Sequence, residues 1–326
     1  MKRHLSTLIK VLVTVLGLAY AMAQIDFEQA VETFRRLQWQ PLLLVLVLIN
    51  VSLVVRALRW WLLLRGLGAR VKIGRLIALY FSGNFFNIFL PSGFGGDVVR
   101  VVEVSRQVPS STAAGTVLVD RLTGMMTLFI IALFTLPFRP ESFPPRQAQA
   151  VAALSVVGLV GCILLLTGLL ETITSRILPS RISPLRIKSF AQMMAAIRNC
   201  RRDAVLGAMG VSMIFNAILI LWWYVAGQAL GYSDVSLAYY ALVVPILSVA
   251  LLVPSVGGLG LREALAPGLF AAAGLTDTDA VALSLLIFTL TRISGLFGAP
   301  VYIVSALRTS RQADQTEREP VTEADQ

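Results

Sequence analysis

The sequence predicts an all-α polytopic membrane protein, and three observations support this fold class. The mean hydropathy is +0.77, with 56% hydrophobic and only 14% charged residues, which is typical of membrane proteins and not of soluble ones. Several apolar runs reach the roughly 20 residues that a helix needs to cross a hydrocarbon core of about 30 Å. Two further apolar runs are broken by Gly-rich segments that read almost alike.

Six apolar runs predict about six transmembrane helices. They fall at residues 5–23, 41–63, 112–137, 149–170, 204–230 and 277–307. The first run follows Lys2 and Arg3 and ends in Ala21-Met22-Ala23, so it is either a retained helix or a cleaved signal peptide.

The two breaks predict an internal duplication. They read Leu90-Pro-Ser-Gly-Phe-Gly-Gly-Asp97 and Val253-Pro-Ser-Val-Gly-Gly-Leu-Gly260. Each is preceded at equal spacing by a glycine that follows a Trp pair, with the glycine 23 residues before the proline of the break, and each is followed by an arginine inside the next apolar run. We therefore expect one membrane domain, residues 1–308, with a first repeat at about 41–137 and a second at about 204–307. A polar, disordered tail is expected at 309–326.

The halves of each broken run are short for a membrane crossing. We predict that about 76–107 and 237–275 form re-entrant hairpins of two half-helices, which requires the broken backbone to be buried or to line a cavity. Three spans then lie between the start of the first repeat and the start of the second, so the repeats are inverted and the hairpins enter from opposite faces, as in many transporters. If the hairpins cross fully instead, the chain has eight spans.

The distribution of basic residues predicts the orientation of the chain in the membrane. With the amino terminus inside, eighteen basic residues fall in cytoplasmic segments and four in outer loops, which favours two cytoplasmic termini in an inner (cell) membrane. The net charge of +10 does not indicate nucleic-acid binding, because the basic residues lie beside the spans, where anionic lipid head groups are the expected contact.

The breaks are suited to an anionic head group. Pro91 and Pro254 end the first half-helices, and the free N–H groups of the second half-helices would face the membrane interior. Asp97 is expected to be an N-cap in preference to a direct substrate contact.

Arginines inside the spans are the second functional signal. Arg121 and Arg292 are costly there, which predicts either head-group binding and gating or a buried ion pair that holds the repeats together. Asp120 points about 100° away from Arg121 around a helix and need not be its partner. Arg56 and Arg59 share a helix face, and Arg59 is expected to snorkel to the interface.

These residues resemble the flippase-like membrane region of lysylphosphatidylglycerol synthases. The resemblance rests on Pro91–Arg100, Val119–Gly124, Val253–Glu263 and the arginine of the last span, and it covers about residues 5–308. It implies a protein that moves or handles a polar-headed, anionic lipid. The chain lacks the soluble aminoacyl-transfer domain of the synthases, so it is not expected to make lysyl lipids. The candidate lipid-binding residues are Ser92, Gly95, Gly96, Asp97, Arg100, Arg121, Ser255, Gly257, Gly258, Arg262, Glu263 and Arg292, of which the two serines come from the breaks alone.

Two other classes of function stay open. The single histidine, His4, excludes a histidine-nucleophile phosphatase, Ser-His-Asp catalysis and a His-rich metal site, and we expect no cofactor. A lipid-linked glycosyltransferase is an alternative, because Asp26 and Glu28 resemble the acidic pair of such enzymes, although an amphipathic interfacial helix is the simpler interpretation of this loop. The third class is a scaffold whose partners are membrane-embedded enzymes of lipid or envelope biosynthesis.

Overall fold

The structure is a computed structural model of the 326-residue chain. It describes residues 12, 14–23, 25–89, 95–167, 169, 195, 198–250 and 259–305. The centres of both sequence breaks, residues 170–194 and the predicted tail at 309–326 lie outside these ranges, as do residues 5–11 and 13 of the predicted first span.

The described part of the chain is helical. Its helices are α1 (14–22), α2 (Phe27–Arg35), α3 (Trp39–Gly66), α4 (Ile73–Phe89), α5 (Gly95–Val104), α6 (Ser110–Thr135), α7 (Pro145–Thr167), α8 (Arg202–Ala229), α9 (Leu237–Ala250), α10 (Leu261–Phe270) and α11 (Asp277–Leu296). After a turn at Phe297, the last helix continues to Ser305.

Among the described residues, five helices are long and apolar enough to cross a membrane. They are Trp39–Gly66, Ser110–Phe138, Pro145–Thr167, Arg202–Ala229 and Asp277–Ser305, and they match five of the six predicted spans within a few residues. The prediction of an all-α polytopic membrane protein is therefore confirmed.

The first broken run folds back on itself. Arg75, near the start of α4, donates from Nη2 to the carbonyl of Glu103 near the end of α5 at 3.4 Å. Closer to the break, a Cβ placed on Gly96 would lie 2.6 Å from the carbonyl oxygen of Gly83, so the two helices touch there through backbone alone. The pair α4–α5 is thus an antiparallel hairpin whose two ends lie on one side of the molecule.

The second broken run has the same form. The hydroxyl of Tyr239, in the first turn of α9, donates to the carbonyl of Leu269 at the end of α10 at 2.7 Å. Tyr240 and Trp223 pack with Phe270 in the largest hydrophobic cluster, which stabilises the base of this hairpin against α8. The pair α9–α10 is likewise a hairpin that enters and leaves on one side.

The two hairpins enter from opposite faces. The leading spans of the predicted repeats, α3 and α8, pack along their lengths, with Gly66 beside Ala204 at one end and the Gln38 N–H bonded to the Ala229 carbonyl at the other. They are therefore antiparallel. Since α4–α5 follows the end of α3 and α9–α10 follows the end of α8, the hairpins start at opposite ends of this pair, which is the arrangement an inverted repeat requires.

Each repeat also packs its last span against the hairpin of the other repeat. Helix α6 contacts α9, and α11 contacts α4. The second contact is very close, because a Cβ on Gly298 would lie 2.0 Å from the carbonyl oxygen of Phe81. This exchange brings the arginine of α11 to the first hairpin.

Candidate functional site

One buried carboxylate joins four helices of the first repeat. Asp120 on α6 has no exposed surface and accepts hydrogen bonds from Arg59 Nε on α3 (2.6 Å), the Tyr80 hydroxyl on α4 (2.7 Å) and Arg100 Nη2 on α5 (3.1 Å). Arg59 and Arg100 are themselves only 3% and 2% exposed. The predicted snorkelling of Arg59 is therefore wrong, because the helix α6 supplies a buried acidic partner and the guanidinium turns inward.

A second ion pair lies beside this one. Asp97, in the first turn of α5, accepts from Arg121 Nε on α6 through one carboxylate oxygen and from Arg100 Nη1 through the other (2.9 Å). The predicted N-cap role of Asp97 is wrong, because the helix already begins at Gly95 and both oxygens are engaged by arginines. Arg121 thus pairs with the hairpin of its own repeat and not with its neighbour Asp120.

Arg56 is the fourth arginine beside these ion pairs. Its guanidinium lies 5.2 Å from the ring centroid of Tyr80 and 5.5 Å from that of Phe215. Its Nε atom is buried and has no hydrogen-bond partner, and no ion pair to Arg56 is found in the described part of the chain. Among the arginines described above, it is the one that faces the site without a carboxylate.

A small cavity opens between α3 and the first hairpin. Its enclosed space is about 20 Å³, enough for one water molecule. It is lined by Leu53, Arg56, Tyr80, Gly83, Asn84, Asn87, Gly96, Asp97 and Arg100. We call this polar cavity, together with Arg59, Asp120 and Arg121, the first-repeat site.

The first-repeat site carries excess positive charge. Four arginines, Arg56, Arg59, Arg100 and Arg121, face two aspartates, Asp97 and Asp120, so the net charge is +2. Buried charge without a counter-charge is expensive, and in a membrane interior it marks a functional site. The excess favours an anionic ligand.

The last span adds a cation at the tip of the first hairpin. Arg292 on α11 donates from Nη1 to the carbonyl of Asn87 and lies 4.6 Å from the ring centroid of Phe288. Two residues on, Ser294 bonds to Asn50 Oδ1 on α3 (3.2 Å). Arg292 therefore links the second repeat to the first hairpin through a backbone carbonyl.

The second hairpin has a neutral counterpart of this site. Arg262 on α10 donates to Glu263 Oε1 (2.9 Å from Nη2) and to Ser284 Oγ on α11 (2.8 Å from Nε). The other Glu263 oxygen accepts the Gly260 N–H at 2.8 Å. A cavity of about 150 Å³ lies beside Arg262, lined mostly by apolar side chains including Trp222, Trp223 and Phe288. Arg262 and Glu263 are thus neutralised by each other.

The predicted site residues divide between the two hairpins. Gly95, Gly96, Asp97, Arg100 and Arg121 lie together in the first repeat, with Arg292 at the hairpin tip, and Arg262 and Glu263 lie in the second. Gly96 allows the contact with α4, and its N–H donates to Asn87 Oδ1 at 2.6 Å. Ser92, Ser255, Gly257 and Gly258 lie outside the described residues.

Sequence reasoning missed three members of the first-repeat site. Tyr80, Asn84 and Asn87 face the cavity, and the signal that could have found them is their spacing. They recur at intervals of four and three residues in an otherwise apolar half-helix, which places polar groups on one face.

The predicted outer loop forms a small polar cluster. Helix α2 begins at Asp26, whose carboxylate accepts the N–H groups of Glu28 and Gln29 as an N-cap. Thr33 of α2 donates to Asp279 at the start of α11 (2.6 Å), and Tyr232 donates to the same carboxylate. Burial and this hydrogen bond raise the pKa of Tyr232 to about 12. The cluster attaches α2 to the start of α11.

Comparison with known proteins identifies the family. A protein named "UPF0104 membrane protein PH1989", from Pyrococcus horikoshii, is 22% identical over 317 residues, covering 88% of this chain and 92% of that protein. No solved structure matches the chain. The profile of the family described as "Lysylphosphatidylglycerol synthase TM region" matches residues 7–298. With its profile matching nearly the whole helical domain, the chain belongs to the lysylphosphatidylglycerol synthase transmembrane-region family.

Proposed function

We propose that the protein translocates a lipid with an anionic polar head across the membrane. The observation that carries this proposal is the net charge of +2 on the first-repeat site, in the middle of helices that are otherwise apolar. A negatively charged head group would offset this charge, while its acyl tails stay in the bilayer.

The two hairpins supply the gates in this proposal. They enter from opposite faces, and each contacts the last span of the other repeat. In the state seen here the first-repeat cavity has room for about one water molecule, so a head group needs a wider site. Movement of the first hairpin relative to α3 and α11 would open the site to one face, and the equivalent movement of the second hairpin would open it to the other.

We further propose that this takes place in the inner membrane, with both termini and the first hairpin on the cytoplasmic side. The distribution of basic residues supports this orientation. Asp26 is a helix N-cap, so its carboxylate already has a structural role. This favours transport over the glycosyltransferase alternative, in which Asp26 would be a catalytic residue.

Reconstitution tests the proposal. Purified protein is placed in liposomes with fluorescent phosphatidylglycerol or phosphatidic acid, and a membrane-impermeant quencher reports how much label reaches the outer leaflet. We expect flipping by the intact protein, reduced about tenfold or more when Arg121→Gln and Arg292→Gln are combined, because two cations beside the site are lost. The matched control is Arg201→Gln, since the Arg201 side chain is 71% exposed.

Other outcomes assign the protein to another class. Full flipping by the double variant would overturn the roles of these arginines. Absence of flipping with either lipid would favour the scaffold, and the partners would then be sought among membrane-embedded enzymes that copurify. Transfer of sugar from a lipid-phosphate donor in the same vesicles would favour the enzyme.

A further inference from the structure

The size of the positive charge gives information about the lipid itself; this inference rests on the proposed function. The excess of two charges does not depend on the residues outside the described ranges near the hairpin tips, because 90–94 and 251–258 contain no ionisable side chain. In the second repeat the charges of Arg262 and Glu263 cancel, because the two side chains form an ion pair. The positive charge is therefore concentrated in the first-repeat site.

Common phospholipids with a phosphodiester carry at most one negative charge on that phosphate, and a zwitterionic head group has no net charge. A terminal phosphate monoester carries −1.5 to −2 at pH 7, because its second pKa is about 6. Arg292 adds one further cation at the hairpin tip, so of these head groups the monoester offsets most of the positive charge. We propose that the first-repeat site selects lipids that end in a phosphate monoester over lipids with a phosphodiester head group.

Arg56 is the residue that makes this selection. Arg59, Arg100 and Arg121 already contact carboxylates, whereas Arg56 contacts aromatic rings and pairs with no carboxylate among the described residues. The buried Nε atoms of Arg56 and Arg100 both lack an acceptor. A planar guanidinium binds phosphate oxygens well, and it retains its charge under all physiological conditions. The amides of Asn84 and Asn87 line the same cavity and provide neutral donors for further phosphate oxygens.

The cavity must widen to admit the phosphate, since about 20 Å³ holds only one water molecule. The walls that can separate are α3, which carries Arg56, and the hairpin α4–α5, which carries Arg100. These two elements are joined near the cavity by the aromatic contact of Arg56 with Tyr80. Trp60 of α3 also packs on Tyr80 and Arg100 there. A phosphate that binds Arg56 would replace the Arg56 contact, which weakens one of the contacts that hold the two walls together.

The experiment measures binding and not transport. The purified full-length protein in detergent is titrated with short-chain phosphatidic acid, a monoester, and with short-chain phosphatidylglycerol, a diester, at pH 7.5 and pH 5.5. We expect phosphatidic acid to bind about tenfold more tightly at pH 7.5, and the preference to shrink at pH 5.5 as the monoester takes up its second proton. Affinity for phosphatidylglycerol should hardly change with pH.

The ionisable groups around Arg56 include no histidine. They are Arg59 on α3, Tyr80 on α4, Asp97 and Arg100 on α5, Asp120 and Arg121 on α6, and Arg292 on α11; the charged residues of α8, Arg202 and Asp203, lie at its far end. Histidine is the side chain whose charge ordinarily changes between pH 5 and 8. The pH dependence therefore reports the ligand.

Variants of Arg56 test whether this residue causes the preference for phosphatidic acid. Arg56→Gln should bind the two lipids with equal affinity at pH 7.5, whereas Arg56→Lys should keep part of the preference and Arg201→Gln all of it. Equal affinities in the intact protein, or a preference that does not change with pH, would overturn the inference, and these measurements need no variant to fold. Flipping of both lipids without preference would leave the proposed function standing while this inference fails. A pH-dependent preference in binding without flipping would support this inference and contradict the proposed function.

Discussion

Asp120 is the residue on which the charge balance of the first repeat depends. Desolvation of a carboxylate in an apolar helix costs free energy. Asp120 offsets this cost because it accepts hydrogen bonds from two arginines and a tyrosine. Removing the acceptor would leave Arg59 and Arg100 as buried cations with a reduced set of partners. The cost of such a change comes mainly from the stranded charges and not from the lost bonds.

We therefore expect Asp120→Asn to destabilise the protein by about 3–5 kcal/mol. The measurement is unfolding in detergent micelles, followed by circular dichroism. Asp203→Asn serves as the control, because Asp203 pairs with Arg201 at an exposed site, where ion pairs contribute little to stability. Equal stability of the two variants would contradict the central role of Asp120.

The thiol of Cys200 provides a second prediction at this scale. Burial, with a smaller contribution from Asp203, raises the pKa of Cys200 to about 11. The thiolate is the reactive form, so alkylation by N-ethylmaleimide should be slow at pH 7.5 and should accelerate as the pH rises toward 11. Mass spectrometry of the intact protein measures this, with free cysteine as the reference. Rapid labelling of Cys200 at pH 7.5 would show that the thiol is accessible and that its pKa is near the ordinary value.

Single residues also show how far the sequence could predict the site. Asp97, Arg100 and Arg121 were identified, because charges in apolar segments stand out without any knowledge of the fold. The sequence did not predict that the Arg59 side chain turns inward, because the choice between snorkelling and an inward ion pair depends on which helix lies alongside. Sequence position alone contains no information on that neighbour.

At the scale of elements, the contact between α11 and α4 joins the two repeats. Gly295 and Gly298 allow it: a Cβ on Gly295 would meet the Ile88 side chain at 2.8 Å, and one on Gly298 would meet the Phe81 carbonyl at 2.0 Å. A side chain can move aside, whereas a helix backbone cannot do so without a shift of the whole hairpin. The spans and the broken runs were predictable from hydropathy, but this exchange between repeats was not, because glycines in apolar helices occur for many reasons.

Gly298→Ala should separate α11 from α4 and cost about 1–3 kcal/mol through overpacking. Flipping in liposomes should fall in parallel, because Arg292 loses its position at the Asn87 carbonyl. Gly161→Ala in α7 is the matched control, since nothing lies within 4 Å of the added Cβ. That change should be neutral or slightly stabilising because alanine favours helix more than glycine. Equal behaviour of the two variants would show that α11 and α4 are not held at this point.

At the scale of the whole molecule, the antiparallel pair α3–α8 sets which surfaces face opposite sides of the membrane. Glu32 lies in α2, whose cluster is attached to the start of α11, and Arg201 lies beside the end of α3. The 28 residues of α3 separate these two levels by about 42 Å. Both side chains are exposed, at 59% for Glu32 and 71% for Arg201.

We expect Glu32→Cys to react with a membrane-impermeant maleimide in intact cells, and Arg201→Cys to react only after the membrane is opened. This follows from the excess of basic residues on the side of Arg201, which favours the cytoplasm. Both substitutions remove only an exposed ion pair, which contributes little to stability. The parent protein is the control, because its own Cys162 and Cys200 are buried. Labelling of Arg201→Cys but not Glu32→Cys from outside would reverse the orientation and place the first hairpin on the outer face. Labelling of both from the same side would contradict the antiparallel arrangement of α3 and α8.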